Sequence, residues 1–282
     1  MNIKQLLLTS IQASIEAGEA ILEVYESDFA VEQKDDKSPL TLADKRSHDI
    51  IVKHLKRFDI PILSEEGRAI PYPRRKAWDT LWVVDPLDGT KEFVKRNGEF
   101  TVNIALVKEG QPILGVIFIP VKNTLFFAAE GVGSYRAALD QLINLLDCRL
   151  EAADESQSAE IVDGLAARAT KLPDAAAAQR PYTIVGSRSH STPELEAFVA
   201  QKRREHADLE YISSGSSLKI CLVAEGKADI YPRLAPTMEW DTAAGQAIAE
   251  CAGAKVLQHD TDKSLSYNRE NLLNPWFIVS RD

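Results

Sequence analysis

Cysteine is scarce in this chain of 282 residues, which contains three: Cys148, Cys221 and Cys251. No two of them are close enough for a Cys-x-x-Cys motif, and an odd number at wide spacing gives no disulfide framework. This pattern favours a reduced protein of the cytoplasm. We therefore expect each cysteine to be a small buried apolar residue.

Long apolar runs and blocks of basic residues are also absent. No uncharged stretch approaches the length of a transmembrane helix. The N-terminal segment is amphipathic and contains Glu16, Glu19 and Glu23, so it does not resemble a signal peptide. Acidic and basic residues are mixed along the chain, whose net charge is −9, which argues against nucleic-acid binding. An anionic substrate would need a local positive source, such as a metal ion or a helix N-terminus.

What the sequence does contain is an ordinary globular composition, with 45% apolar residues. Two amphipathic helices are predicted first, the second from Thr41 to about Phe58, and three strand-like runs follow between Phe100 and Ala129. The connections between these runs are too short for a crossover helix, so they predict an antiparallel meander that EGVGSY closes. After Pro181, strand and helix patterns alternate, which predicts an α/β half.

These patterns predict a mixed α/β protein built as one unit in three parts. Residues 1–136 form a lobe of helices and antiparallel sheet, and residues 181–282 form an α/β lobe. Residues 137–180 connect the lobes and include an alanine-rich insertion, which we expect to be partly mobile. The sequence does not indicate whether this insertion covers a site.

One segment, WVVDPLDGTKEF (residues 82–93), is not explained by packing alone. Pro86 fixes its own φ angle and holds Asp85 extended, and the turn that follows lets Asp85 and Asp88 point into the same space. The carbonyl of Leu87 can join them. Two carboxylates and a carbonyl are oxygen ligands of the kind that Mg²⁺ prefers. The segment therefore predicts part of a magnesium site in the N-terminal lobe.

Neighbouring residues extend this prediction toward phosphate chemistry. Gly89 lacks the Cβ that would block a close approach of the backbone, and Gly89 and Thr90 can open a helix whose free N–H groups hold a phosphate. Two other acidic stretches can complete a metal pair: SEEG, with Glu65 and Glu66, and EWDTAAG, with Asp241. Metal ions bridged by a carboxylate activate water and stabilise a leaving oxygen in phosphoryl transfer.

Each acidic residue also has a plain structural interpretation. An aspartate before Pro-x-x-Gly is often only a turn residue, Asp241 can simply cap a helix, and SEEG can be a solvated strand end. Taken singly, these interpretations are at least as good as a metal site. The sequence Asp85-Pro-Leu-Asp88-Gly-Thr after a buried type of strand favours the metal site, because turn chemistry alone does not require that combination.

Together, WVVDPLDGTKEF and EWDTAAGQAIAECAGA resemble the two signature motifs of the inositol monophosphatase superfamily, and the resemblance covers nearly the whole chain. It implies a layered αβαβα sugar-phosphatase-like fold and a lithium-sensitive phosphatase that uses Mg²⁺, with roughly two or three ions per site. The segment SSGSSLKICLVAEGKADIYPR is similar to the bacterial 3′(2′),5′-bisphosphate nucleotidases of the CysQ type.

This narrower similarity implies a reaction in sulfur metabolism. A metal-activated water would attack phosphorus in line and remove the 3′-phosphate of adenosine 3′,5′-bisphosphate, giving AMP and phosphate. The corresponding 5′-phosphosulfate would be a further substrate, converted to adenosine 5′-phosphosulfate. The activity expected is therefore that of a phosphoric monoester hydrolase.

The resemblance assigns a role to each residue of the acidic segments. Glu65 becomes a ligand of the first metal and helps to align the attacking water, and Asp85 becomes the carboxylate that bridges the metals. The carbonyl of Leu87 is a further ligand. Asp88 and Asp241 hold the second metal, and Asp241 also lies near the scissile phosphate.

Further residues near the reaction follow from the same motifs. Gly89 and Thr90 would donate backbone N–H groups to the phosphate, and the Thr90 hydroxyl would orient the water. Asp44 falls where the superfamily has another aspartate near the water. The competing interpretation of Asp44 is a capping box that begins at Thr41, and the sequence does not decide between the two. Glu66 would lie behind the metal ligands or in solvent.

The nucleotide would need contacts in the α/β lobe, where two small polar loops are candidates: residues 186–190 and 213–217. Each precedes a predicted helix, so hydroxyl and backbone N–H groups can meet phosphate or ribose. Lys219 and Arg233 can offset the charge of a second phosphate, and His190 would be a polar contact and not a base. The simple alternatives are helix capping for the serines and solvated surface charge for the cations. The predicted substrate contacts are Glu65, Leu87, Asp88, Gly89, Thr90, Ser187, His190, Ser214, Gly215, Ser216, Lys219, Arg233 and Asp241.

Two other functions remain open at this point. One is a phosphatase of the same superfamily that acts on inositol phosphates or fructose 1,6-bisphosphate. Residues 213–233 are the part of the sequence that discriminates between this function and the nucleotidase. The other is a binding protein that senses nucleotide without catalysis, which would be expected to lose a carboxylate that this chain keeps. No nucleic acid or stable protein partner is implied, and a monomer and a homodimer both fit. The resemblance also allows loose association with the cytoplasmic face of the inner membrane.

Overall fold

The computed structural model describes residues 2–27, 39–67, 69–146, 154–177, 180–187 and 192–281. Cys148 and His190, for which expectations were stated, lie outside these ranges. The helices are α1 (Ile3–Tyr25), α2 (Pro39–Leu55), α3 (Tyr72–Arg75), α4 (Thr90–Val94), α5 (Ile143–Leu146), α6 (Glu155–Arg168), α7 (Pro193–Glu205), α8 (Leu218–Ala224) and α9 (Glu239–Cys251). The strands are β1 (Ile62–Ser64), β2 (Thr80–Asp88), β3 (Thr101–Lys108), β4 (Gln111–Ile119), β5 (Thr124–Ala129), β6 (Gly133–Ala138), β7 (Thr170–Lys171), β8 (Thr183–Ser187), β9 (Glu210–Ser214), β10 (Ile230–Arg233), β11 (Lys255–Gln258) and β12 (Phe277–Ser280).

The first sheet contains β1 to β7 in sequence order. Strand β1 is parallel to β2, and the other neighbouring pairs are antiparallel. The predicted meander is confirmed for β3, β4 and β5, but EGVGSY does not close it. Part of that segment enters β6, which pairs with β5 from Gly133 to Ala138. The sheet is therefore larger than the sequence pattern indicates.

The second sheet has the order β11-β12-β10-β8-β9, with β10, β8 and β9 parallel and β12 antiparallel to its neighbours. The three parallel strands end at Arg233, Ser187 and Ser214. Carboxyl ends of adjacent parallel strands meet at one edge of a sheet, where α/β proteins bind ligands. The α/β prediction for this half is confirmed, and its polar strand ends lie together.

Helices and sheets alternate in five layers. Helices α1 and α2 share one apolar core with one face of the first sheet, including Ile11, Ile51 and Phe127. Helices α8 and α9 share a second core with the opposite face of the first sheet and with the second sheet. Helix α7 lies on the outer face of the second sheet, where Phe198 borders a groove with Ile278. The expected αβαβα architecture is confirmed.

Small residues bring α9 very close to the first sheet. A Cβ atom at Gly115 in β4 would lie 2.2 Å from the carbonyl oxygen of Ala244 in α9 and 3.0 Å from the Cβ of Ala247. No side chain fits in that space, so glycine is required at this position. The alanine-rich sequence of α9 allows this backbone contact, which fixes the height of the helix above the sheet.

Several local expectations need revision. Helix α2 spans Pro39–Leu55, so it begins two residues before Thr41 and ends before Phe58. A proline is tolerated in the first turn because its nitrogen has no intrahelical partner there. In the connection, α6 packs on the N-terminal lobe, with Lys4 Nζ 2.6 Å from Asp163 Oδ1. The lobe boundaries themselves stay predictions.

Cys221 is buried as expected, whereas Cys251 is only half-buried. Among the described residues, none of the helices combines the length and the apolar character that crossing a membrane requires.

Candidate metal and substrate site

Three aspartates from two distant segments converge at one point. Asp85 and Asp88 belong to β2, and Asp241 lies in the first turn of α9. Each offers a carboxylate oxygen, and these oxygens all lie within 4.8 Å of one another. Carboxylates at this separation repel one another unless a cation lies among them.

An irregularity in β2 gives Asp85 and Asp88 their common direction. The register between β2 and β3 shifts between these two residues, so the chain bulges at Pro86 and Leu87. The backbone N–H of Leu87 donates to Asp85 Oδ1 at 3.1 Å, and the hydroxyl of Ser47 in α2 donates to the carbonyl of Pro86 at 2.7 Å. The sharp turn predicted at Pro86 is not present, because the strand continues to Asp88 through this bulge, and α2 holds the bulge in place.

Glu65 reaches the same place through parallel strand pairing. Ser64 of β1 pairs with Val84 of β2, and the N–H of Glu65 donates to the Val84 carbonyl at 3.2 Å. Its carboxyl group shares a hydrogen bond with Asp85. Glu65 is therefore adjacent to the three aspartates, although the mutual 4.8 Å group does not include it.

Two segments remote in sequence hold Asp88. The backbone N–H of Ser217 donates to Asp88 Oδ2 at 2.6 Å, and Asn103 Nδ2 lies 3.4 Å from the same oxygen. The Ser217 hydroxyl in turn donates to Asn103 Oδ1 at 2.9 Å and lies 2.8 Å from Thr101 Oγ1. Sequence reasoning assigned no role to Asn103 or Thr101, because two short polar residues in an otherwise apolar strand do not indicate their partners.

Asp241 combines two interpretations that the sequence left as alternatives. Its Oδ2 accepts the backbone N–H of Met238 at 2.8 Å, which is a capping contact at the start of α9. Its carboxyl group also shares a hydrogen bond with Asp85. A cap does not use both oxygens, so one residue serves the helix and the acidic cluster together.

Burial and mutual repulsion disfavour the charged forms of these groups. Burial, followed by the charge of Asp241, raises the pKa of Asp88 to about 7, and burial raises that of Asp241 to about 6. Burial and then the charges of Asp88 and Glu65 raise the pKa of Asp85 well above its ordinary value. Burial and the charge of Asp88 also raise that of the partly exposed Glu65. A divalent cation would reverse these shifts, so the donor set fits a hard metal ion.

Asp44 lies beside this cluster and does not cap α2. The helix already includes Pro39 and Leu40, so the capping box proposed from Thr41 is wrong. The Asp44 side chain is buried, bonds to Glu66 and leaves its Oδ1 with no hydrogen-bond partner among the described residues. Burial and the charges of Glu66 and Glu65 raise its pKa to about 8. Its position favours the interpretation that places it near the reacting water.

A cavity of about 130 Å³ opens next to Asp88 and Asp241. The cavity is lined by residues from the end of β2, the start of α4, the loop before α8 and the end of β10. Six of the predicted substrate contacts outside the acidic cluster line it. These are Gly89, Ser187, Gly215, Ser216, Lys219 and Arg233.

Gly89 shapes one wall of this cavity. It has φ +97° and directly precedes α4, and a Cβ atom there would lie 3.2 Å from the Cα of Phe100 and 3.3 Å from the Cβ of Ser216. Only glycine adopts this conformation readily in so little space. The helix that the sequence predicted at Thr90 is confirmed, but it is a single short turn.

Lys219 is a buried lysine and not a solvated surface charge. It is 6% exposed, and its Nζ donates to the carbonyls of Ser216 at 2.5 Å and Ser214 at 3.4 Å. It also lies over the ring of Tyr231, 5.6 Å from the centroid. Burial lowers its pKa to about 8, although the charge of Asp88 opposes this shift. Lys219 thus shapes the loop and brings positive charge to the cavity wall.

Arg233 supplies the second positive charge at the cavity. Its NH2 group donates to the Pro236 carbonyl at 2.7 Å. Its Nε is buried and has no hydrogen-bond partner in the described part of the chain. Other cavity residues were not anticipated, notably Lys91, Glu92, Tyr231 and Thr237. Lys91 and Glu92 lie inside the DGTKEF motif, so the motif could have indicated them.

Some predicted contacts lie elsewhere. Thr90 is exposed, Leu87 and Ser214 are buried, and these three are not among the residues that line the cavity. Ser214 contributes its carbonyl to Lys219. The roles given to Leu87 and Thr90 therefore stay predictions, and His190 lies outside the described residues.

Comparison with known proteins agrees with the family resemblance of the two sequence motifs. A model of the inositol monophosphatase family matches residues 2–276. The chain is 43% identical over 276 residues to the 3′(2′),5′-bisphosphate nucleotidase CysQ of Salmonella typhimurium, covering 95% of this chain and 97% of the relative. The enzyme of the same name from Escherichia coli K12 gives the same identity and coverage. The crystal structure of CysQ from Bacteroides thetaiotaomicron is similar with a TM-score of 0.88 and 49% identity, covering 99% of this chain and 98% of that chain.

Proposed function

Because the chain belongs to the inositol monophosphatase family, we propose that it is a metal-dependent phosphatase that removes the 3′-phosphate of adenosine 3′,5′-bisphosphate. Water adds to phosphorus, the P–O bond to the ribose breaks, and AMP and inorganic phosphate are released. The two nucleotidase relatives, each 43% identical over nearly the full length, support this substrate class.

One observation carries the proposal. The carboxylates of Asp85, Asp88 and Asp241 meet beside a cavity whose lining also contains Lys219 and Arg233. A cation held by the carboxylates would face one phosphate, and the two basic side chains offer positive charge to a second. A doubly phosphorylated substrate fits this distribution of charge better than a neutral ring with one phosphate.

We assign Mg²⁺ to the acidic group, with Glu65, Asp85, Asp88, Asp241 and the carbonyl of Leu87 as the groups that would hold it. Hard oxygen donors of this kind suit Mg²⁺. When bound, Mg²⁺ supplies charge that lowers the pKa of water and stabilises the departing oxygen.

Residues of the chain perform the remaining tasks. We assign to Asp44, together with Glu65 and Thr90, the task of orienting the attacking water, because one buried oxygen of Asp44 has no hydrogen-bond partner in the described chain. Gly89 leaves room for the phosphate to approach the backbone. The buried Nε of Arg233, which has no hydrogen-bond partner among the described residues, would donate to the substrate.

The test compares three substrates at equal concentration: adenosine 3′,5′-bisphosphate, inositol 1-phosphate and fructose 1,6-bisphosphate. Phosphate release is measured with Mg²⁺ and with EDTA. We expect kcat/KM for the nucleotide to exceed that for either sugar phosphate by roughly 10²-fold, and EDTA to abolish turnover.

Either sugar phosphate as the preferred substrate would overturn the nucleotidase assignment and leave a phosphatase of the same family. Failure to release phosphate from all three in the presence of Mg²⁺ would overturn the enzymatic function itself. Phosphate release that persists in EDTA would overturn the assignment of a metal to the acidic group.

A further inference from the structure

Glu239, two residues before Asp241, is a completely buried carboxylate outside the acidic cluster. Its Oε2 accepts the backbone N–H of Asn268 at 2.6 Å, and its Oε1 accepts that of Arg269 at 3.0 Å. The Nε of Arg269 lies 3.1 Å from the same Oε1. Three donors thus compensate the loss of hydration, which a buried carboxylate requires. The first turn of α9 is thereby bound to the turn at residues 268–269.

Arg75 holds the same turn. It is the last residue of α3 and is 2% exposed. Its guanidinium donates to Asn268 Oδ1 at 3.0 Å and to the carbonyls of Arg269 at 2.6 Å and Glu270 at 2.9 Å. Asn268 Nδ2 returns a bond to the Arg75 carbonyl at 2.7 Å. We refer to Arg75, Asn268, Arg269 and Glu239 as the α3–α9 clamp.

The clamp joins the segments that supply the acidic groups. Helix α3 lies between β1, which leads into Glu65, and β2, which carries Asp85 and Asp88. Helix α9 carries Asp241. None of the four clamp residues is among those that line the cavity. The clamp therefore has no direct access to a ligand there, but it connects both sources of the carboxylates.

A second set of bonds continues from the clamp to Asp241. The NH2 group of Arg269 donates to Asn274 Oδ1 at 2.8 Å, and Asn274 Nδ2 donates to the Met238 carbonyl at 2.8 Å and to Thr242 Oγ1 at 2.9 Å. Met238 in turn donates its N–H to Asp241. The residues on both sides of Asp241 are thus fixed by the same segment of chain.

Buried charge of this kind is a poor means of gaining stability, because desolvation offsets much of the attraction and apolar side chains would do as well. Its advantage is directional bonding, which fixes geometry. Carboxylates within 4.8 Å of one another need such restraint, since their charged forms repel one another when no cation lies among them. The clamp lies where this restraint is needed.

We propose that Glu239 and Arg75 are positioning residues that set the location of Asp241 relative to Asp85 and Asp88, and thereby the affinity of the site for its metal ion. This inference rests on the proposed function, because it takes the acidic cluster to bind a divalent cation. It adds a determinant of metal affinity that lies outside the cavity.

The test is the substitution Glu239→Gln, which keeps the shape of the side chain. It replaces one carboxylate oxygen by an NH2 group, which cannot accept a hydrogen bond from a backbone N–H. The matched control is Glu225→Gln. Glu225 is also a buried glutamate, 3.0 Å from Arg136 Nε and 2.8 Å from Lys227 Nζ, but it lies at the end of α8 remote from Ser217. Mg²⁺ binding is titrated calorimetrically without substrate, and thermal unfolding is followed in EDTA.

We expect Glu239→Gln to weaken Mg²⁺ binding roughly 10- to 100-fold, as loss of a supporting partner of metal ligands does. The kcat should fall at low Mg²⁺ and recover at high Mg²⁺, while the KM for the nucleotide at saturating Mg²⁺ stays near that of the wild type. Glu225→Gln should lower the unfolding temperature and leave Mg²⁺ affinity unchanged. A Glu239→Gln protein that binds Mg²⁺ like the wild type would overturn the proposal.

A second variant applies if Glu239→Gln does not fold. Asn268 has φ +62°, so Asn268→Gly suits the backbone, keeps both N–H donors to Glu239 and removes the side-chain bonds to Arg75. We expect weaker Mg²⁺ binding in the same direction, and unchanged affinity would overturn the proposal. Wild-type protein that binds no Mg²⁺ would instead overturn the proposed function, so the two failures are distinguishable.

Discussion

The backbone N–H of Ser217 donates to Asp88 Oδ2 across 129 residues of chain, at 2.6 Å. This bond joins the loop before α8, which lines the cavity, to the bulged end of β2, which carries the acidic residues. The Ser217 hydroxyl extends the connection to the buried side chains of Asn103 and Thr101. The loop before α8 and the acidic cluster therefore share one network of hydrogen bonds.

Replacing Ser217 by alanine keeps the N–H that reaches Asp88 but removes the hydroxyl between Asn103 and Thr101. Because both partners are buried, we expect the free energy of unfolding to fall by about 1–3 kcal/mol. The kcat/KM should fall less than roughly tenfold, since Asp88 keeps its backbone donor. Urea unfolding and steady-state kinetics measure the two effects. A loss of turnover as large as that of an Asp88 variant would show that the hydroxyl itself acts on the substrate.

Asp88→Asn removes charge without changing volume. We expect kcat at saturating Mg²⁺ to fall at least roughly a hundredfold, equivalent to about 2.7 kcal/mol of the barrier. The unfolding temperature in EDTA should rise, because one member of a repelling group becomes neutral. Asp79→Asn, at an exposed aspartate, should change neither quantity. Near-normal turnover of Asp88→Asn would contradict a metal-binding role for this residue.

The acidic cluster also predicts how stability depends on pH without metal. Burial raises the folded-state pKa of Asp88 to about 7 and that of Asp241 to about 6, above their values in the unfolded chain. Between about pH 4 and pH 7 the folded protein then holds protons that the unfolded chain has released, so this contribution to stability is lost as the pH rises.

We therefore expect the unfolding temperature in EDTA to decrease over this range more steeply for the wild type than for Asp88→Asn. Saturating Mg²⁺ should flatten the wild-type curve, because the cation replaces the protons. Calorimetric scans at several pH values measure the difference. Parallel curves for the two proteins in EDTA would show that Asp88 titrates as it does in the unfolded chain.

Lys219→Met removes the charge from the cavity wall and the bonds to the loop carbonyls of Ser214 and Ser216. We expect the fold-increase in KM, variant over wild type, to be roughly ten times larger for adenosine 3′,5′-bisphosphate than for adenosine 3′-monophosphate. The reason is that the second phosphate loses a charged partner. The exposed residue Lys263 offers the control variant Lys263→Met. An equal rise for both substrates would limit Lys219 to shaping the loop.

Local chemistry made part of this site predictable. Asp85, Asp88 and Gly89 lie within one short motif, whose proline and glycine determine the backbone path, so the sequence alone indicates where these groups point. Asp241 is different, because its place beside Asp85 depends on the packing of α9. The sequence alone offered Asp241 only as one candidate for completing a metal pair, and the family resemblance was needed to give it that role.

The polar networks could not be predicted in the same way. The contacts of Ser217 with Asp88 and of Glu239 with Asn268 join residues far apart in sequence, and isolated polar residues leave no periodic pattern. Lys219 illustrates the point: a lysine in an apolar helix was compatible with solvent or substrate, whereas its burial depends on the loop carbonyls that accept its hydrogen bonds.

The contact between Gly115 and Ala244 has a consequence for how this enzyme can change. The main chains of β4 and α9 are in contact there, so α9 cannot slide along the sheet. Because α9 carries Asp241, this buried contact also fixes the position of Asp241 relative to the sheet. The residues that we propose for substrate contact lie instead at strand ends of the second sheet and in the loop before α8. Altered preference for the organic part of the substrate can thus be engineered at Ser187, Ser216 or Arg233 while the hydrolytic machinery stays as it is.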